Sequence, residues 1–109
     1  MKTIIKGHDD LIYRLELCDS SGTETLFADF DSFKVEIFTS DINTAVNVSQ
    51  YIDSLENLLR VPAETLTTLS DGIIRMKVSV SLIDTEFPDE SFDQSRITDT
   101  CFYLKTYNA

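Results

Sequence analysis

The chain has 109 residues, 42% of them apolar, with seven Phe and four Tyr. That length accommodates one domain, and the apolar content excludes an intrinsically disordered chain. Nineteen acidic residues against nine Lys and Arg give a formal charge of −10, which opposes binding to phosphate backbones and anionic bilayers. Neither nucleic acid nor membrane is therefore an expected partner, and the charge reads as solubility or as steering towards a basic protein.

No apolar run approaches the length needed to span a bilayer, and the opening Met1 to Lys6 is too short for the hydrophobic region of a secretory signal. The expectation is a protein that stays in the cytosol where it is made or leaves by a route that needs no signal, with a mature fragment whose signal is removed as a third reading. Cys18 and Cys101 stand far apart and fit no metal-ligand or Cys-x-x-Cys spacing. They read as free thiols packed in strands.

Thr3 to Ile5 can form a short opening strand, and Gly7-His8-Asp9-Asp10 supplies a turn. From Leu11 to Cys18, Leu11, Tyr13, Leu15 and Leu17 alternate with Arg14 and Glu16, the period of a half-buried strand. Asp19-Ser20-Ser21-Gly22 is a cluster of turn formers. Phe33, Val35 and Ile37 then alternate with Lys34 and Glu36 in a second clear strand, with Phe38 placed to cover an edge of the core. Val46 to Ile52 is a more polar strand candidate after a turn at Ser40 to Asn43, and Ser54 to Leu59 fits a helical turn equally well.

A short helix is predicted from Val61, with Pro62 near its first position, where the missing N–H costs nothing. Leu66 and Leu69 share its buried face, and Gly72 is placed as a left-handed cap. So short a helix needs a sheet to pack on and reads as a crossover. Ile73 to Asp84 is the strongest strand pattern, with Ile74, Met76, Val78, Val80 and Leu82 inward against Arg75, Lys77, Ser79 and Ser81. Thr85 to Ser95 reads as an acidic loop, and Arg96 to Tyr107 as the closing strand.

Six or seven strands with one apolar face each require a second layer. The expected fold is all-β, an immunoglobulin-like antiparallel sandwich occupying residues 1–109 as one domain, with one short crossover helix.

Catalytic chemistry has little to build on. His8 is the only histidine and sits in a turn, and three glycines leave no phosphate-cradling loop. Among the acids, Asp84, Glu86, Asp89, Glu90 and Asp93 are the only serious candidates for a metal. Glu86, Asp89, Glu90 and Asp93 are weak Ca²⁺ ligands without the glycine or the Asp-x-Asp-x-Asp spacing that such loops use. The other reading of this stretch is a solvated loop. Asp29 and Asp31 form a weaker pair still. Tyr51, Phe92, Tyr103 and Tyr107 suit either cross-strand packing or an aromatic platform for a sugar ring, and the absence of Trp favours packing. No catalytic residue, cofactor or metal is expected, and the chain reads as a non-enzyme.

Two short motifs, Lys6-Gly7-His8-Asp9-Asp10 before the first long strand and Leu69-Ser70-Asp71-Gly72 before the longest, resemble the immunoglobulin-like N-terminal domain of phage baseplate upper proteins. Similar small domains occur in tailed phages of Bacteroidetes, including crAss-like phages. The resemblance implies a virion protein made in the bacterial host cytoplasm, which joins tail, baseplate or head-fibre parts and is present in many copies. Baseplate proteins continue into a receptor-facing or oligomerising region, and the expectation here is a stand-alone structural copy of the domain. Loops on a rigid sandwich are where contacts gather, so Glu86, Phe87, Asp89, Glu90, Phe92 and Asp93 are the expected partner-binding residues, with Asp41 to Leu59 as a second stretch. A carbohydrate- or protein-binding module of a bacterial surface system is the alternative. A small metal-dependent hydrolase using the acidic loop is a third reading.

Overall fold

A computed structural model describes residues 2–18, 22, 24–83 and 91–106, without the side chains of Cys18, Leu82, Ile83 and 91–94. Its strands are β1 (Lys2–Ile5), β2 (Leu11–Arg14), β3 (Leu17–Cys18), β4 (Glu24–Thr25), β5 (Ser32–Phe38), β6 (Val46–Asn47), β7 (Ile52–Asp53), β8 (Leu58–Val61), β9 (Gly72–Ile83) and β10 (Ser91–Lys105). They form a five-stranded sheet in the order β1-β10-β9-β5-β6, a three-stranded sheet β2-β8-β7 and a small β3-β4 pair. The fold is an all-β sandwich. Six strands of four residues or more, β1, β2, β5, β8, β9 and β10, carry it.

One cluster of buried side chains joins the two layers. Val35, Ile37, Ile74, Met76 and Leu104 from the large sheet meet Leu11, Leu59 and Val61 from the small one. Val35, Ile37, Ile74, Met76 and Leu11 are inward positions that alternation marks, because a pleated strand turns successive side chains to opposite faces. Phe27 is fully buried between the layers, its ring 4.8 Å from that of Phe33. Its amide donates to Asn57 Oδ1 at 2.9 Å, and Asn57 Nδ2 donates to the Thr25 carbonyl at 2.8 Å. Asn57 has a φ of 54°, a left-handed conformation that Asn tolerates better than most residues.

β9 and β10 form a long antiparallel hairpin from Ile83↔Ser91 to Gly72↔Leu104. At about 3.3 Å per residue, the fifteen residues of β10 account for most of the molecule's 58 Å length. The hairpin is not regular throughout. Between the pairs Asp99↔Arg75 and Tyr103↔Ile73, β10 sets three residues, Thr100 to Phe102, against Ile74 alone. This bulge places Cys101 at a φ of 65°. Thr100, buried in the bulge, donates its hydroxyl to the Ile74 carbonyl at 2.8 Å.

β1 runs parallel to β10, from Lys2↔Phe102 to Ile5↔Lys105, and is the one parallel pair among the described strands. Beyond it, Asp71 ties the chain's ends to the body. Its carboxylate accepts from the Thr106 amide and hydroxyl and pairs with Lys6 Nζ at 3.0 Å.

Several sequence expectations need correction. The stretch Leu11 to Cys18 is two strands, because the Leu15 amide donates to the Asn57 carbonyl at 2.8 Å and Leu17 pairs with Thr25 instead of β8. Leu58 to Val61, read as a turn leading into a helix, is the central strand of the small sheet. The crossover helix between β8 and β9 is a 3₁₀ helix, Ala63–Thr68, with Leu66 and Leu69 buried as expected. The Thr67 and Thr68 hydroxyls bond to the carbonyls of Glu64 and Thr65, competing with helical extension. Gly72 is not its cap: the helix ends at Leu69 in extended geometry, and Gly72 opens β9 opposite Leu104. Val46 to Ile52 holds the two-residue β6 and a 3₁₀ turn, Ser49–Tyr51, ahead of β7. Finally, the loop expected up to Ser95 gives way at Ser91, where β10 already pairs with β9.

Candidate functional site

Of the residues expected to bind a partner or Ca²⁺, Glu86, Phe87, Asp89 and Glu90 lie outside the described residues, as do Asp84 and Tyr107. Phe92 and Asp93 belong to β10, opposite Leu82 and Ser81, and not to a loop. Their backbone is therefore engaged in a ladder on the β9 side.

The other sequence candidates serve the backbone. Asp29 Oδ2 accepts from the Leu26 amide at 2.9 Å, closing the 3₁₀ turn Phe27–Asp29. Around the Gly7 turn, Asp9 Oδ2 accepts from Ile5 N and Asp10 Oδ1 from Ala63 N, both at 2.9 Å. The bond to Asp10 anchors the start of the crossover helix to the segment that joins β1 to β2. Tyr51 packs against the core cluster, and Tyr103 is exposed on β10 opposite Ile73. The stretch Asp41 to Leu59 is fastened along its length. Asp41 caps the turn at Ile42–Thr44, β6 pairs with β5, and the Ser49 hydroxyl accepts from Val35 N at 2.8 Å. Cys101 is free and exposed, where a packed thiol was expected, because the bulge turns it away from the core. No cluster of three or more His, Cys, Asp or Glu side chains forms a metal-binding set among the described residues. No described helix is long and apolar enough to cross a membrane.

Two concave surfaces among the described residues bear on function. One, about 390 Å³, lies on the outer face of the large sheet, where Ser32, Ser79, Ser81 and Ser95 stand beside Lys34 and Lys77. Ser79 and Ser95 hydroxyls bond to each other at 3.2 Å, and Lys34 pairs with Glu36 at 3.7 Å.

The second is a groove of about 550 Å³ between the two sheets. Tyr13, Arg14, Leu15, Glu16 and Leu17 form one wall, Arg96, Ile97 and Thr98 the other, and Val78 and Val80 line it from β9. Its geometry follows from strand order. β10 has β9 on one side, and on the other β1 reaches only Phe102 to Lys105. From Ser91 to Thr100 no described strand pairs with its outer side. β2 is likewise the last strand of its own sheet. The groove therefore runs between two unpaired sheet edges. Leu15 and Val80 are buried beneath it, while Arg96 and Thr98 are exposed.

Its inner face departs from the usual pattern. Arg96 opposes Val78 and Thr98 opposes Met76, so two polar side chains of β10 stand opposite apolar, core-facing residues of β9. Arg14 and Arg96 make no ion pair among the described residues, whereas Lys6, Lys34 and Arg75 each do. With Glu16 as the only acid lining the groove among the described residues, two cations face one anion there in a chain whose net charge is −10. Sequence reasoning missed this site. Arg14 and Arg96 come from opposite ends of the chain, and each looks like an ordinary solvent-facing residue of its strand.

No protein-family model matches the chain, and no curated protein matches its sequence.

Proposed function

We propose that the chain is a non-enzymatic adaptor that acts through protein–protein contacts, as a structural component of a tailed-phage particle. The observation that carries the adaptor reading is the unpaired edge of β10 beside an open groove. An exposed edge presents a row of backbone donors and acceptors ready to join another strand, and folds that do not use such an edge usually cover or shorten it. Here it runs for ten residues, from Ser91 to Thr100.

The phage context rests on the resemblance of Lys6 to Asp10 and Leu69 to Gly72 to baseplate-protein domains, and both motifs have structural roles in this chain. Gly7 takes a φ of 81° in its turn, and Asp71 anchors Lys6 and Thr106. In this reading the protein assembles in the host cytoplasm and occupies repeated positions in the particle.

Size-exclusion chromatography with light scattering, paired with mass spectrometry of particles purified from the source, tests the proposal. The expected result is the chain in stoichiometric, multi-copy amounts within virions. Virions that lack it while its gene is expressed overturn the particle reading.

A further inference from the structure

Deepening that adaptor reading, and resting on it, we infer that the groove takes an extended strand from a partner protein. The strand pairs with the free edge of β10 and places a carboxylate side chain between Arg14 and Arg96.

Three observations lead to this occupant. The first is the backbone. Along Ser95 to Asp99, β10 has a ladder partner among the described residues on the β9 side alone, so an added strand gains main-chain hydrogen bonds without displacing any of theirs. The second is the lining. Leu15, Leu17, Val78 and Val80 offer an apolar surface to every second side chain of that strand. The third is charge. Arg14 and Arg96 are the two cations of the groove, and neither has an ionic partner among the described residues. A guanidinium presents a planar fork that fits a carboxylate with two parallel hydrogen bonds.

The same arginine argues against a second copy of this chain as the occupant. An inward-pointing charge on an edge strand is a device that resists indiscriminate pairing. Antiparallel self-pairing centred on Arg96 would set two guanidiniums side by side, and each copy adds a charge of −10 to the repulsion. Arg96 thus rejects a strand without a carboxylate and accepts one that has it, which is how an open edge becomes selective.

The experiment pans a displayed library of random nine-residue peptides against the full chain and against the R14E/R96E variant. The wild-type chain is expected to select peptides with Asp or Glu flanked by β-branched residues at alternate positions. A synthetic copy of a selected peptide should lose about tenfold or more in affinity on R96E, and its Glu-to-Lys counterpart should recover binding to that variant. Hydrogen exchange should slow at amides 95–100 in the complex. Selection of basic peptides, selection without acid enrichment, no enrichment at all, or protection elsewhere each overturns the inference. Particle assembly separates the two readings. If R14E/R96E enters virions as well as wild type does, the adaptor role stands and the groove inference falls. If wild type selects acidic peptides but is absent from virions, the groove inference stands and the particle reading falls.

Discussion

The two halves of β10 belong to one strand yet live in different surroundings. From Phe102 to Lys105 it lies between β1 and β9, and Leu104 is fully buried. From Ser95 to Asp99 it has only β9 beside it among the described strands, and its side chains are exposed, including Ile97 at 52%. The boundary is the bulge, where buried Thr100 precedes exposed Cys101. Burial in this strand thus follows the face and the neighbours a residue is given and not its composition: Ile97, opposite Lys77 on the outer face, is as apolar as Leu104. A half that the fold leaves uncovered is free to be covered by something else.

Substitutions along β10 test that contrast. The largest effect belongs to the closed half, where Leu104→Ala should cost about 3 kcal/mol through lost burial and a residual cavity, measured by denaturant unfolding. A loss below about 1 kcal/mol would break the comparison. At the boundary, Thr100→Val should cost about 1.5 kcal/mol. It removes the buried hydroxyl that donates to the Ile74 carbonyl and accepts from the Phe102 amide in the bulge.

Acid should act on the closed half as well. Hydrogen bonds from the Thr106 side chain and backbone, followed by that from Lys6, lower the Asp71 pKa from 3.8 to about 2. The folded state therefore favours the carboxylate, and its stabilisation is complete above about pH 4 and lost as pH falls through about 2. Asp71 lies at the surface, so salt screens the effect. The expected outcome is a shallower fall in stability for Asp71→Asn between those pH values, read from acid titrations of melting temperature. Equal slopes for the two proteins would remove Asp71 from the account. The smallest effect belongs to the open half: Ile97→Ala should change stability by about 0.5 kcal/mol or less. A larger loss would mean that Ile97 is already covered in the isolated chain.

The sequence made the layers legible wherever one face is apolar. β5 and β9 could be read because Val35, Ile37, Ile74 and Met76 line the core with charged or hydroxyl residues between them. β8 was not, since Leu58-Leu59-Arg60-Val61 is too short to show a period and runs directly into Pro62. The early start of β10 was hidden because Asp93, Gln94 and Ser95 continue the polar run that begins at Thr85, so pairing with β9, not amphipathicity, makes it a strand. The break after Arg14 depends on a hydrogen bond from Leu15 to Asn57, a contact between distant parts of the chain. The groove escaped for a related reason. It is a relation between edges, and edges exist only once the strand order is known.

The parallel pairing of β1 with β10 has a mechanical consequence. Tension applied at the N-terminal side of β1 and the C-terminal side of β10 pulls two parallel strands past each other along their common axis. The four register pairs from Lys2↔Phe102 to Ile5↔Lys105 then carry the load together, in shear, instead of opening one by one as a hairpin pulled from its free ends would. Force spectroscopy through these two points should give a higher rupture force than pulling β9 against β10 from the Gly72 end. A fold joined to its neighbours through these strands would hold its shape under traction.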